Sequence, residues 1–145
     1  MRTTVRDMLS AKSGPVWSVT PETPVIEALR MMAEKNVGAV LVCRGDTLAG
    51  ILSERDYARK VVLKGRSSKD TPVGDIMTSR VASVGPDQTT DDCMALMTAK
   101  HVRHLPVLEG GDLVGIISIG DVVKAVIADL RFSIEQLESY INGAR

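Results

Sequence analysis

The chain repeats itself, and the repeat constrains its fold more than any single residue does. Gly50-Ile51-Leu52-Ser53-Glu54-Arg55-Asp56 returns as Gly115-Ile116-Ile117-Ser118-Ile119-Gly120-Asp121, a displacement of 115 − 50 = 65 residues. The same displacement carries Val19 onto Val84, Pro21 onto Pro86, Met32 onto Met97, Val42 onto Val107 and Leu48 onto Leu113. A gapless match over most of each half marks a duplicated unit. The lead-ins Val5-Arg6-Asp7-Met8-Leu9 and Val73-Gly74-Asp75-Ile76-Met77 match at 73 − 5 = 68, so the first copy holds 68 − 65 = 3 extra residues, between Ser10 and Ser18. The join falls in Lys64-Gly65-Arg66-Ser67-Ser68-Lys69-Asp70-Thr71-Pro72, whose Gly, Ser, Pro and charge content is that of a linker.

The pattern inside each copy predicts β-α-β-β-α. Val16 to Val19 is a short extended piece, stopped by Thr20-Pro21-Glu22-Thr23-Pro24. Val25, Ala28, Leu29, Met32 and Ala33 then recur at helical spacing, and Asn36 closes that helix. Ala39 to Cys43 reads as a strand, Gly45-Asp46 as a hairpin turn, Leu48 to Leu52 as the returning strand, and Ser53 to Val62 as a second helix. The second copy follows with Thr89 to Lys100, Leu105 to Leu108, Gly110-Gly111-Asp112, Leu113 to Ile117 and Asp121 to Leu130. A unit of roughly 60 residues buries too little surface to be secure alone. Each copy's three-stranded sheet is therefore expected to be covered by the other copy, sheet to sheet.

Composition removes several classes of function. With 18 basic and 18 acidic residues, no net field draws the protein to nucleic acid or to an anionic membrane. One Trp, one Phe and two Tyr give a base-stacking surface little to work with. No apolar run approaches the roughly 18 residues of a membrane helix, and Met1 to Leu9 is unlike a signal peptide, so a soluble cytoplasmic protein is expected. Cys43 and Cys93 lie in separate apolar stretches and read as buried free thiols. Two histidines in one short segment, without a matching cysteine or carboxylate cluster, give no catalytic constellation, and the chain is not expected to be an enzyme.

Taken together, the two lead-ins, the Val-x-Pro ahead of each first helix, His104-Leu105-Pro106-Val107 and the two Gly-Ile-x-Ser-x-x-Asp segments resemble the paired cystathionine-β-synthase (CBS) domains known as a Bateman module. The resemblance covers nearly the whole chain: CBS domain 1 over 5–66, CBS domain 2 over 67–130 and a C-terminal helix over 131–145. It implies an α/β (α+β) fold of two repeats related by a pseudo-twofold axis, clefts that bind adenosine-containing ligands (AMP first, then NAD or ATP), a homodimer, and a regulatory role toward a protein partner. The alternative is a dimerisation scaffold that regulates its partner without nucleotide.

Ser53-x-x-Asp56 and Ser118-x-x-Asp121 each stand between a strand and a helix, where Ser-x-x-Asp is also a capping box. The same groups suit a nucleotide. A helix N-terminus and a hydroxyl favour a phosphate, and a carboxylate can accept from both hydroxyls of a ribose. A phosphate near a carboxylate needs a cation, and Lys12, Arg55, His101, Arg103 and His104 are the candidates. For His101 a solvated helix end is the simpler account. The resemblance implies sites that cross the copies, Ser53 and Asp56 with Val81, Ala82, Val102, Arg103 and His104, and Ser118 and Asp121 with Val16, Trp17, Val37, Gly38 and Ala39. The second of these is the less basic, since Val37-Gly38-Ala39 replaces Val102-Arg103-His104. Met31, Met32, Met94 and Met97 read as core or dimer-interface filler, and Trp17 as either a cover or packing. Phe132, Ile134, Leu137, Tyr140 and Ile141 form an apolar stripe beyond both repeats, expected to dock on the module or across a dimer interface.

Overall fold

The computed structural model describes residues 3–12 and 15–143. The element order is α1 (Val5–Ala11), β1 (Ser18–Val19), α2 (Val25–Lys35), β2 (Ala39–Arg44), β3 (Thr47–Ser53), α3 (Glu54–Tyr57), a π-helical turn (Ala58–Val62), a 3-10 turn (Val73–Asp75), α4 (Thr90–Lys100), β4 (His104–Glu109), β5 (Asp112–Ser118) and α5 (Ile119–Gly143). Local chemistry sets these limits. Thr4 and Asp7 cap α1 reciprocally, and Thr89 and Asp92 do the same for α4. Asn36 and His101, 65 residues apart, end α2 and α4 in the left-handed conformation at φ 54. His101 is thus an exposed helix end.

In the first copy β1 runs parallel to β2, pairing Ser18 with Leu41 and Val19 with Val42, and β2 pairs antiparallel with β3. The second copy departs from the expected three strands. Its sheet holds only β4 and β5, joined to the preceding segment by a single parallel bridge between Val84 and Val107. The cause is one residue. Leu41 N–H donates to the Trp17 carbonyl at 3.4 Å, whereas the equivalent of Leu41 is Pro106 (41 + 65), which has no N–H to donate. Only the neighbouring bonds survive, Val84 N–H to Pro106 O at 3.0 Å and Leu108 N–H to Val84 O at 2.9 Å.

The chain forms two compact units, and these exchange the lead-ins of the sequence copies. One unit comprises Met1–Gly14, Ala82–Glu109 and Val114–Arg145, the other Pro15–Val81 with Gly110–Leu113. Val5 and Met8 of α1 are buried with Val84, Cys93, Met97, Leu105, Val107, Ile117 and Val122. Val73 and Ile76 of the second lead-in are buried with Val25, Ala28, Met32, Val40, Val42, Leu52 and Val61. Met32 and Met97 are core residues, with Met31 and Met94 packed against them, as their helical spacing suggests.

The repeated glycine has its reason here. A Cβ on Gly50 would lie 2.6 Å from the Thr78 carbonyl oxygen and 2.8 Å from Met77 Sδ, and one on Gly115 would lie 2.6 Å from Leu9 Cδ2. At Gly50 the backbone just past the lead-in crosses the returning strand so closely that only a residue without Cβ fits, whereas at Gly115 the neighbour is the end of the Leu9 side chain.

The C-terminal segment is not a separate helix. Nothing between Gly120 and Gly143 is glycine or proline, so α5 continues through Leu130 and Arg131 without a break. Residues 131–142 are all exposed, so the apolar stripe does not dock on its own chain. The first copy's second helix also differs from expectation, giving way after Tyr57 to a π-helical turn.

Candidate functional site

Both Ser-x-x-Asp segments form capping boxes. Ser53 N–H donates to Asp56 Oδ2 at 3.0 Å, and Asp56 N–H donates back to Ser53 Oγ at 3.2 Å. Ser118 N–H donates to Asp121 Oδ2 at 2.8 Å, and Asp121 N–H to Ser118 Oγ at 3.2 Å. The strand before each box fixes it. Glu54 N–H donates to Gly38 O at 3.1 Å and Ile119 N–H to Arg103 O at 2.8 Å, the same bond repeated at 65 residues, so the residue ahead of β2 or β4 is tied to its own copy's box.

Beyond the caps the two carboxylates differ. Asp56 is 8% exposed, and its oxygens receive four donors. Oδ2 takes the Ser53 N–H and, at 3.1 Å, the Ser53 hydroxyl. Oδ1 takes the Thr78 hydroxyl at 3.1 Å and faces Lys60 Nζ at 3.1 Å. Lys60 also donates to the Ile76 carbonyl at 3.0 Å. A carboxylate has about four acceptor positions, so Asp56 is filled by its own chain.

Asp121 is half-buried and, among the described residues, meets one cation. Lys12 Nζ lies 2.9 Å from Asp121 Oδ2 and donates to the Ile116 carbonyl at 2.8 Å. A groove of about 560 Å³ opens beside this pair between α1 and α5, lined by Thr3, Asp7, Met8, Lys12, Asp121 and Lys124 among others. Burial pushes the Asp121 carboxyl up, but the Ser118 N–H and the Lys12 ammonium together outweigh it and hold the carboxyl below its ordinary value. Its stabilising contribution is therefore present above the unfolded-chain value of about 4 and lost as pH falls through the lower folded value. Asp121→Asn is expected to flatten the fall in melting temperature below about pH 4. Melting curves of both proteins across pH 2 to 6 check this, and parallel curves contradict it.

Of the predicted site residues, the structure brings Lys12, Ser118 and Asp121 together in one unit and Ser53 and Asp56 in the other. Arg55 and Arg103 are exposed, and His104 is half-buried at the head of β4. Val16 is exposed, Ala39 is buried, and Val37 packs on the first core. Gly38 and Val81 are half-buried, while Ala82 and Val102 pack on the second core. Trp17 carries the Lys35 ammonium 4.2 Å over its ring centroid. Cys43 and Cys93 are buried free thiols, pushed up by burial and so poor nucleophiles. Thr78 and Lys60 escaped the sequence reading. The signals for them were the i,i+4 spacing from Asp56 to Lys60 and the position of Thr78 directly after the second lead-in.

Among the described residues no helix is long and apolar enough to cross a membrane. The sequence profile of the CBS domain matches residues 5–63 and again 73–128. The chain is 40% identical over 151 aligned residues to the CBS domain-containing protein CBSX3, mitochondrial, of Arabidopsis thaliana, covering 97% of this chain and 73% of that protein. A solved CBS-domain protein from Burkholderia ambifaria superposes with a TM-score of 0.85 at 58% identity, covering 88% of this chain and 96% of that one. The CBS domain protein PAE2072 of Pyrobaculum aerophilum, solved in complex with AMP, shares the fold with a TM-score of 0.73 at 23% identity, over 82% of this chain and 89% of its own. With two CBS matches that span most of its length and relatives of similar size, the chain belongs to the CBS-domain family as a tandem CBS pair.

Proposed function

We propose that this CBS pair is a non-enzymatic regulatory module of the cytoplasm that senses an adenine nucleotide, AMP first and NAD or ATP next, and acts as a homodimer on a protein partner. The observation that carries the reading is the duplicated pairing of carboxylate and ammonium: Lys12 on Asp121 at 2.9 Å and Lys60 on Asp56 at 3.1 Å. A ribose needs an acceptor for its hydroxyls and the attached phosphate needs a cation, and each unit holds both within one contact. The AMP complex of PAE2072 supports the ligand class. The two buried free thiols suit a reducing compartment.

The Asp121 site is the principal one. Among the described residues a ribose there has only Lys12 to displace, and the freed ammonium can turn to the phosphate. At Asp56 it must displace both Thr78 and Lys60. That crowding favours the scaffold reading for the first copy, in which Asp56 is a structural carboxylate and no nucleotide binds.

Thermal-shift measurements with AMP, ADP, ATP, NAD, NADH and S-adenosylmethionine test the proposal, because a ligand of the folded state raises stability by RT ln(1 + [L]/Kd). A rise with at least one is expected; none with any of the six refutes nucleotide sensing. Lys12 has a separate signature. Lys12→Met frees Asp121 for ribose hydroxyls but removes a phosphate partner, so the preference for AMP over adenosine should fall by about tenfold. Calorimetry with both ligands reads that ratio, and an unchanged ratio contradicts the phosphate role.

A further inference from the structure

The exposed face of α5 carries a regular pattern. Val122 is buried in the core of its unit, with Ala125 and Val126 packed beside it. On another face Val123, Ile127, Leu130, Ile134, Leu137 and Ile141 are exposed at 47%, 44%, 59%, 53%, 62% and 73%. They follow one another at spacings of four, three, four, three and four residues. This is a heptad without a slip: isoleucine at the three a positions (127, 134, 141), and valine or leucine at the three d positions (123, 130, 137). At about 100° per residue the six side chains fall in a stripe roughly 80° wide, running about 27 Å along the helix. Such a stripe is the narrow seam of a two-helix coil, where a core-facing surface is broader.

The seam starts on the body of the unit and continues along the projecting part of α5, where residues 131–142 are all exposed. A single soluble domain rarely leaves so long a continuous apolar row in water. A second α5 matches it in length and pattern, and the flanking charges choose the direction. The e positions next to the seam are Lys124, Arg131 and Glu138, and the g positions are Val126, Ser133 and Tyr140. A parallel pair sets e against g, placing Arg131 beside Val126 and Glu138 beside Ser133, which makes no ion pair. An antiparallel pair sets e against e. With Ile127 facing Leu137 of the second copy, Ile134 facing its Leu130 and Ile141 facing its Val123, Lys124 comes within about 3 Å of level with Glu138 of the second copy, twice by symmetry, and these two ion pairs outnumber the one like-charge contact of Arg131 with Arg131 near the axis, where the two Ser133 residues also meet.

We propose that α5 pairs antiparallel with α5 of a second copy of this chain, the projecting half of each helix covering the exposed stripe at the base of the other. This rests on the homodimer reading above and names its contact surface.

Sedimentation equilibrium on the full chain tests it, with Leu130→Glu/Leu137→Glu as the seam variant. Both leucines are exposed in the single chain, so the fold and its helical circular dichroism should persist. The wild type is expected to be a dimer, and the double variant's dimer dissociation constant to rise at least about a hundredfold. A monomeric wild type overturns the homodimer reading and the seam together. A dimeric wild type with an equally dimeric variant overturns the seam alone. Direction is read by oxidative crosslinking of introduced cysteines, the native ones being buried. Ser133→Cys should crosslink to its own copy, and Leu137→Cys, which faces Ile127 of the second copy, should not. The reverse result means a parallel pair and overturns the antiparallel assignment.

Discussion

Gly50→Ala is expected to destabilise the protein by about 3 kcal/mol or more, above the common range for overpacked sites, and to lower its melting temperature by roughly 10 °C. The added methyl meets the Thr78 carbonyl, which is backbone and is held in place by Ile51 N–H to Thr78 O at 3.0 Å and Thr78 N–H to Ile51 O at 2.9 Å. Making room means breaking that bridge. Thr78 also donates its hydroxyl to Asp56, so the same shift strips a partner from the candidate site. Gly115→Ala makes the control. Its methyl meets the end of the Leu9 side chain, which can rotate, so a cost of about 1 kcal/mol is expected. Urea denaturation of both variants decides, and equal costs would contradict the close backbone crossing at Gly50.

Asp121→Ala is expected to weaken AMP binding by about a hundredfold, since each hydrogen bond to a charged acceptor is worth about 1.5–3 kcal/mol and two ribose hydroxyls are involved. The alanine also removes the partner of Ser118 in the capping box, so loss of affinity alone does not separate recognition from helix capping. A second ligand separates them. Wild type should prefer AMP to 2′-deoxy-AMP by about tenfold, and the alanine variant should not distinguish the two. A discrimination that survives Asp121→Ala would mean that the ribose is read elsewhere. The effect of Asp56→Ala on affinity should be smaller, because four intramolecular donors already occupy that carboxylate.

Much of this architecture could be read from the chain because the repeat and the hydrophobic periods are local records. The helix over 25–35, its left-handed end at Asn36, the hairpin at Gly45-Asp46 and the strand entering Ser53 all depend on neighbours within a few residues. What escaped was long-range or depended on one substitution within the repeat. The exchange of lead-ins joins Val5 to Val84 and Val73 to Val25, and nothing in a gapless repeat says which copy a lead-in serves. Pro106 in place of Leu41 removed a strand from the second sheet, a difference visible in the sequence but outweighed by the repeat's regularity. At the site, the Ser-x-x-Asp spacing disclosed both capping boxes. It could not disclose that Lys60 and Thr78 fill Asp56, because a flexible lysine's choice among acceptors depends on packed geometry. Lys12 was legible as a cation but its partner was not, with 121 − 12 = 109 residues between it and Asp121.

Nucleotide sensing through the Ser-x-x-Asp segments is tested most directly by a residue-resolved titration, following backbone amide resonances of the full chain by NMR as AMP is added. The proposal predicts saturable shifts centred on Ser118 to Asp121, with smaller or later shifts at Ser53 to Asp56. It also predicts movement of the Ile116 to Ile117 amides as Lys12 releases the Ile116 carbonyl. Amide spectra that stay unchanged at Ser118 to Asp121 up to millimolar AMP would contradict it.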